Sequence, residues 1–200
     1  CKVCDTIVAV AYRGPDNDGF LKTFEIDAAG VITNSFKDTL KFDDLGAEDP
    51  RICHVSGNIY AIVYRDSAGD GKIVTVTIDS SGNIGAAIED FFVFETGAFY
   101  RPSICKVCDT IVAVAYRGPD NDGFLKTFEI DAAGEITEPV HDSLEFETTL
   151  AQYCAITHMQ GNTYLIAFQS TDYDGFVVSV DIETPLGARP HHELLMGMGP

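Results

Sequence analysis

Three sets of residues in this chain have types and spacings suited to chemistry. Cysteines stand at 1, 4, 53, 105, 108 and 154, and Cys1/Cys4 and Cys105/Cys108 have the Cys-x-x-Cys spacing of zinc and redox motifs. The loop Gly14-Pro15-Asp16-Asn17-Asp18-Gly19 returns with Asp120 and Asp122, and again with Asp172 and Asp174. Carboxylates at alternate positions of a Gly-bearing loop are a calcium-ligand pattern. Lys2, His54, Lys106 and His158 occupy one recurring position, concentrated cations in an acidic chain. They are candidates for holding a small anion or an acidic group, and histidine would make that binding sensitive to pH.

Each set also has a plainer explanation. Glu25 and Glu129 nearly complete the calcium spacing, but a last ligand six residues along an extended strand would lie about 20 Å from the loop. The alternative is a solvated hairpin in which Asp and Gly tolerate left-handed backbone. A closed zinc site needs four converging ligands, and the second repeat keeps Cys53 but has Ser56 in place of its partner. A redox pair would need a helix N-terminus to lower a thiol pKa, and no window carries a helical apolar stripe. Small-residue packing is therefore the expected role of the cysteines.

The elements that position these residues follow from repetition. Residues Cys1 to Gly30 reappear unchanged at Cys105 to Gly134, an offset of 104, and half that offset is present too. Shifting by 52 aligns Tyr12 with Tyr64, Tyr116 and Phe168, and Gly19 with Gly71, Gly123 and Gly175. A fixed period of this size indicates a solenoid, a propeller or an array. Four units follow, over about 1–48, 49–100, 101–152 and 153–200, within a single domain. In the second unit, strands are expected over Ile52 to Val55, Ile59 to Tyr64, Lys72 to Ile78 and Ile84 to Phe94. Turns fall at Ser56-Gly57-Asn58, Asp70-Gly71 and Ser80-Ser81-Gly82. The second strand is apolar on both faces, so its sheet must be covered on both sides.

On this period and strand order the whole chain resembles the β-propeller group. The resemblance implies an all-β fold of four four-stranded antiparallel blades around a central channel. Part of a larger propeller and a β-solenoid are the alternatives. The chain has no Trp, hence no Trp-Asp dipeptide and no complete sialidase Asp-box, and the subfamily stays open. Later units place Pro, then Arg or Ser, then Ile before the inner-strand Cys, so Cys1 is read as an internal boundary and the ring is expected to close with four blades or else by self-association. The last unit departs from the pattern at Pro185, Gly187, Arg189 and Pro190 and carries His191 and His192. Within the blades, Arg13, Arg65 and Arg117, with Gln169, are expected to latch onto the Asp loops or onto Asp38, Asp90 and Asp142. Tyr12, Tyr64, Tyr116 and Phe168 are expected to form interblade core.

Composition limits the partners. With 13 Lys and Arg against 31 Asp and Glu, the net charge of -18 repels phosphate backbones and anionic membrane surfaces, and no apolar run approaches membrane-spanning length. The strongest polar features obey the repeat, whereas an active site needs unlike groups in distinct roles. The expected function is therefore a non-enzymatic scaffold, extracellular or at the cell surface, engaging a protein or glycan through its rim loops. A propeller-type glycoside hydrolase and a purely structural segment of a longer repeat protein are the alternatives.

Overall fold

A computed structural model describes residues 1–32 and 35–184. Pro185, Gly187, Arg189, Pro190, His191 and His192 lie outside the described residues, as does the side chain of Asp172. The architecture is all-β, a β-propeller of four antiparallel blades. Blade 1 holds β1 (Ile7–Arg13), β2 (Gly19–Glu25) and β3 (Asp38–Asp43), and its innermost position is taken by a Lys2–Val8 bridge. Blade 2 holds β4 (Glu48–Ser56), β5 (Ile59–Arg65), β6 (Gly71–Thr77) and β7 (Asp90–Glu95). Blade 3 holds β8 (Tyr100–Lys106), β9 (Ile111–Arg117), β10 (Gly123–Glu129) and β11 (Asp142–Glu147). Blade 4 shows β12 (Gln152–Gln160), β13 (Thr163–Gln169) and β14 (Gly175–Asp181) among the described residues.

The second and third strands of the repeat lie close to where alternation and turn chemistry place them. The fourth does not: it begins at Asp90, six residues later than Ile84. The reason is local. Asp79 accepts the backbone N–H groups of Ser81 and Asn83, closing an Asx turn that leaves Ile84 in a single bridge to Ile78. The first strand is longer than expected, starting at Glu48, because a bulge carries pairing past Pro50.

Blades stack through apolar faces. Odd-numbered residues of one blade, such as Ala9 and Leu21, pack on even-numbered residues of the next, Tyr60, Ile62, Val74 and Val76. The same arrangement recurs between blades 2 and 3 and between blades 3 and 4. Each of the first two interfaces also has one buried hydroxyl bond. Thr23 donates to the Gly82 carbonyl at 2.6 Å, and Thr75 donates to that of Gly134 at 2.6 Å. Among the described residues, no buried apolar cluster joins blade 4 to blade 1. Two of the aligned glycines answer to packing within the blade: a Cβ on Gly19 would sit 2.4 Å from the Phe42 ring, and one on Gly123 would sit 2.5 Å from Phe146.

Candidate functional site

The inner strands β4, β8 and β12 share a defect at their starts. Pairing runs Glu48 with Arg65 and then jumps to Arg51 with Val63; the same jump separates Tyr100 from Ser103 and Gln152 from Ala155. Asp49, Arg101 and Tyr153 sit at the bulge with φ of 49°, 50° and 56°. Left-handed backbone at a non-glycine residue is costly, and here it recurs three times at positions 52 residues apart. The backbone obeys the repeat while the side chains do not, presenting a carboxylate, a guanidinium and a phenol at equivalent places.

These three line one cavity of about 530 Å³ with Arg51, Ser103 and Cys154. The Arg101 guanidinium lies 3.8 Å from the centre of the Tyr153 ring, and its buried Nη1 has no hydrogen-bond partner among the described residues. Asp49 and Arg51 are exposed, and Tyr153 is 58% exposed. The Ser103 hydroxyl accepts the N–H of Ile156 at 3.2 Å. A second hollow of about 400 Å³ shares Asp49 and Arg51 and adds Arg13, Tyr12 and Glu48. Glu48 is held by two guanidiniums, Arg13 at 3.1 Å and Arg65 at 2.7 Å. Glu48 is thus clamped from two sides, whereas Asp49 has no ion pair among the described residues. The site thus offers two guanidiniums able to grip an anionic group, a free carboxylate and an aromatic wall.

The arginine latch differs from its expectation. Arg13 reaches its own acidic loop, donating to Asn17 at 3.0 Å, but the carboxylate that pairs with both Arg13 and Arg65 is Glu48, opposite Arg65 in the inner strand of blade 2, while Arg65 and Arg117 lie over the Tyr100 ring at 4.7 and 4.4 Å. Register decides this, since Glu48 and Tyr100 are cross-strand partners of Arg65 and Arg117. Asp38 and Asp90 instead accept the N–H of Ile84 and Ile136 in the following blade, at 2.8 and 2.9 Å. The aromatic position is core in blades 2 to 4, where Tyr64, Tyr116 and Phe168 are buried. Tyr64 donates to Asp43 at 2.7 Å and Tyr116 to Glu95 at 2.6 Å; burial, then the carboxylate, pushes both phenols up.

The other candidate residues lie apart from the cavity. Lys2, His54, Lys106 and His158 stand toward the opposite, hairpin end of the inner strands, and each engages its own hairpin. Lys2 pairs with Asp5 and Lys106 with Asp109, both at 2.8 Å, while His54 and His158 meet the Gly57 and Gly161 carbonyls at 3.0 Å. In the acidic loops, Asp16 and Asp120 adopt left-handed backbone, and Asp18 pairs with Lys41 at 2.5 Å. Asp122 instead meets Glu145, and that shared hydrogen bond holds the Glu145 carboxyl above its ordinary range. Asp174 gives its carbonyl to the Ser170 N–H. Among the described residues, no three His, Cys, Asp or Glu side chains are grouped to hold a metal. All six cysteines are free thiols, and burial pushes Cys53 up to about 11 and Cys154 up to about 12.

Sequence reasoning passed over Asp49, Arg101 and Tyr153, although the signal was available. Alignment by 52 residues places unlike polar side chains at this one position, with Pro50 and Pro102 following in two of the three units.

No protein-family model and no curated protein matches the sequence. Solved structures match in fold. The NanB sialidase from Streptococcus pneumoniae aligns with a TM-score of 0.61 at 12% identity over 82% of this chain and 26% of its own. A thermostable family-43 glycoside hydrolase aligns with a TM-score of 0.51 at 10% identity over 96% of this chain and 76% of its own. The chain therefore spans about a quarter of the sialidase it resembles. At these identities the likeness establishes the propeller fold. The neighbours are enzymes, which overturns the expectation of a non-enzymatic chain drawn from the obedience of its polar residues to the repeat. That expectation rests on polar features that obey the repeat, whereas the bulge residues Asp49, Arg101 and Tyr153 break it.

Proposed function

We propose that this chain belongs to a propeller-type glycoside hydrolase whose site is the bulge cavity, and that its sugar substrate carries an anionic group. One observation carries the reading: unlike side chains, Asp49, Arg101 and Tyr153, stand at equivalent strained positions around a single cavity. Bulges and strained backbone concentrate where a side chain must be aimed at a ligand. Arg51 and Arg101 supply planar donors for a carboxylate or sulfate. Tyr153, with the Arg101 guanidinium over its ring, offers its hydroxyl to the sugar as a hydrogen-bond partner. Asp49, which lines the cavity without an ion pair among the described residues, protonates the leaving-group oxygen as the glycosidic bond breaks and recovers the proton from the water that replaces it.

The test is turnover of 4-nitrophenyl glycosides, neutral and acidic. Asp49→Asn is expected to lower kcat by about 10²-fold or more, the scale of general acid-base catalysis. Arg101→Ala is expected to raise KM for acidic sugars while leaving neutral ones unaffected. Absence of turnover across both sets refutes the hydrolase reading, and equal loss on neutral and acidic sugars in Arg101→Ala refutes the anionic substrate.

A further inference from the structure

The stacking interface that joins the blades has two halves, and the chain leaves one of each uncovered. In blade 4 the odd-numbered face holds Leu165, Ala167 and Val177, and Val177 is 55% exposed although its equivalents Leu21, Ile73 and Leu125 are buried. In blade 1 the even-numbered face holds Val10, Tyr12, Ile32 and Phe36. Val10 is 43% exposed although its equivalents Ile62, Val114 and Ile166 are buried. Polar groups match as well. Ser179 stands where Thr23 and Thr75 donate across their interfaces, and the Gly30 carbonyl stands where Gly82 and Gly134 accept. Neither Ser179 nor the Gly30 carbonyl has such a partner among the described residues.

We infer that these faces meet between two copies of the chain, blade 4 of each on blade 1 of the other, closing an eight-bladed ring with two-fold symmetry. Second copies are the favoured occupant because the required surface is already made three times within the chain, and every molecule carries both halves in equal number. A heterologous contact either closes or grows into a filament, and eight blades lie within the range at which propellers close. Salt must screen the net charge of -18 on each copy.

Sedimentation equilibrium in about 0.15 M salt, where the Debye length is about 8 Å, tests this. The wild-type chain is expected to populate a species of twice its 21.7 kDa mass. Val10→Asp and Val177→Asp each damage both interfaces of the closed pair and are expected to weaken association at least about a hundredfold. Both substitutions fall on faces exposed in the single chain, so circular dichroism is expected to show folded monomers. Mixing the two variants leaves one undamaged interface and is expected to restore a heterodimer, which a like-with-like contact would not. A wild-type chain that stays monomeric, species larger than a pair, or no recovery on mixing each overturns the closed ring.

Discussion

Residues 1–30 and 105–134 are identical in sequence, yet they occupy different physical environments. In blade 3 the strand Ile111–Arg117 is buried from Ile111 through Tyr116, covered by blade 2 on one side and blade 4 on the other. In blade 1 the same seven residues bury only Ile7 and Ala9, on the side facing blade 2. Tyr116 donates to Glu95 of the preceding blade, whereas Tyr12 stacks on Phe20 with its hydroxyl free among the described residues. The loops part company too, Asp18 meeting Lys41 while Asp122 meets Glu145. Identical local sequence thus forms identical strands, while burial, hydrogen bonding and charge are set by what the neighbouring blade and outer strand supply.

Blades 1 and 3 differ most at the centre of this strand, where Val114 is buried and Val10 is exposed. Val114→Asp places a carboxylate in a fully buried position and is expected to cost at least about 3 kcal/mol, lowering Tm by roughly 6 to 12 °C. Val10→Asp, measured on dilute monomer, is expected to stay within about 0.5 kcal/mol in urea unfolding. Equal losses would mean that blade 1 is covered as blade 3 is.

A smaller difference is expected at the aromatic position. Tyr116→Phe removes a hydrogen bond to a nearly buried carboxylate and should cost about 1.5 kcal/mol, with Lys126 still pairing Glu95 at 3.0 Å. Tyr12→Phe should be neutral within about 0.5 kcal/mol. Parallel unfolding curves for the two variants would show that the blade 3 hydroxyl contributes nothing.

The smallest effect is at the loops and depends on pH. Because the folded-state pKa of Glu145 is raised by Asp122, its contribution is favourable while it is protonated and is lost as pH rises through that value. Glu145→Lys installs the pair that blade 1 already has between Lys41 and Asp18. Its Tm advantage over wild type should grow between about pH 4 and pH 7 and reach only about a degree or two, since both groups are solvated. An advantage independent of pH would show that the two carboxylates do not interact.

Much of the fold was legible because hydrogen-bonded strands and turns answer to local signals. Alternation of Val, Thr and Ile marks a strand over Lys72 to Ile78, within a residue at each end of the observed Gly71–Thr77, and the Asp-Gly turn sets its start. The late start of β7 was not legible, because Asp79 spends its side chain on a turn that apolar content alone does not reveal. The arginine partners were missed for a related reason. Glu48 faces Arg65 only through the bulged register of β4, and no strand was expected to reach that far. The cavity is not legible in the sequence because Asp49, Arg101 and Tyr153 are 52 residues apart and become neighbours only when the inner strands of successive blades converge.

By itself the sequence determined the period, the strand order and the apolar faces, since these depend on backbone preference and on which side chains leave water. Tertiary structure alone decided which copy of a repeated segment is buried, which acid pairs with which base, and which three unlike side chains share a cavity. Those outcomes depend on distances between blades, and a chain that repeats itself cannot encode in any one unit where its neighbours stop.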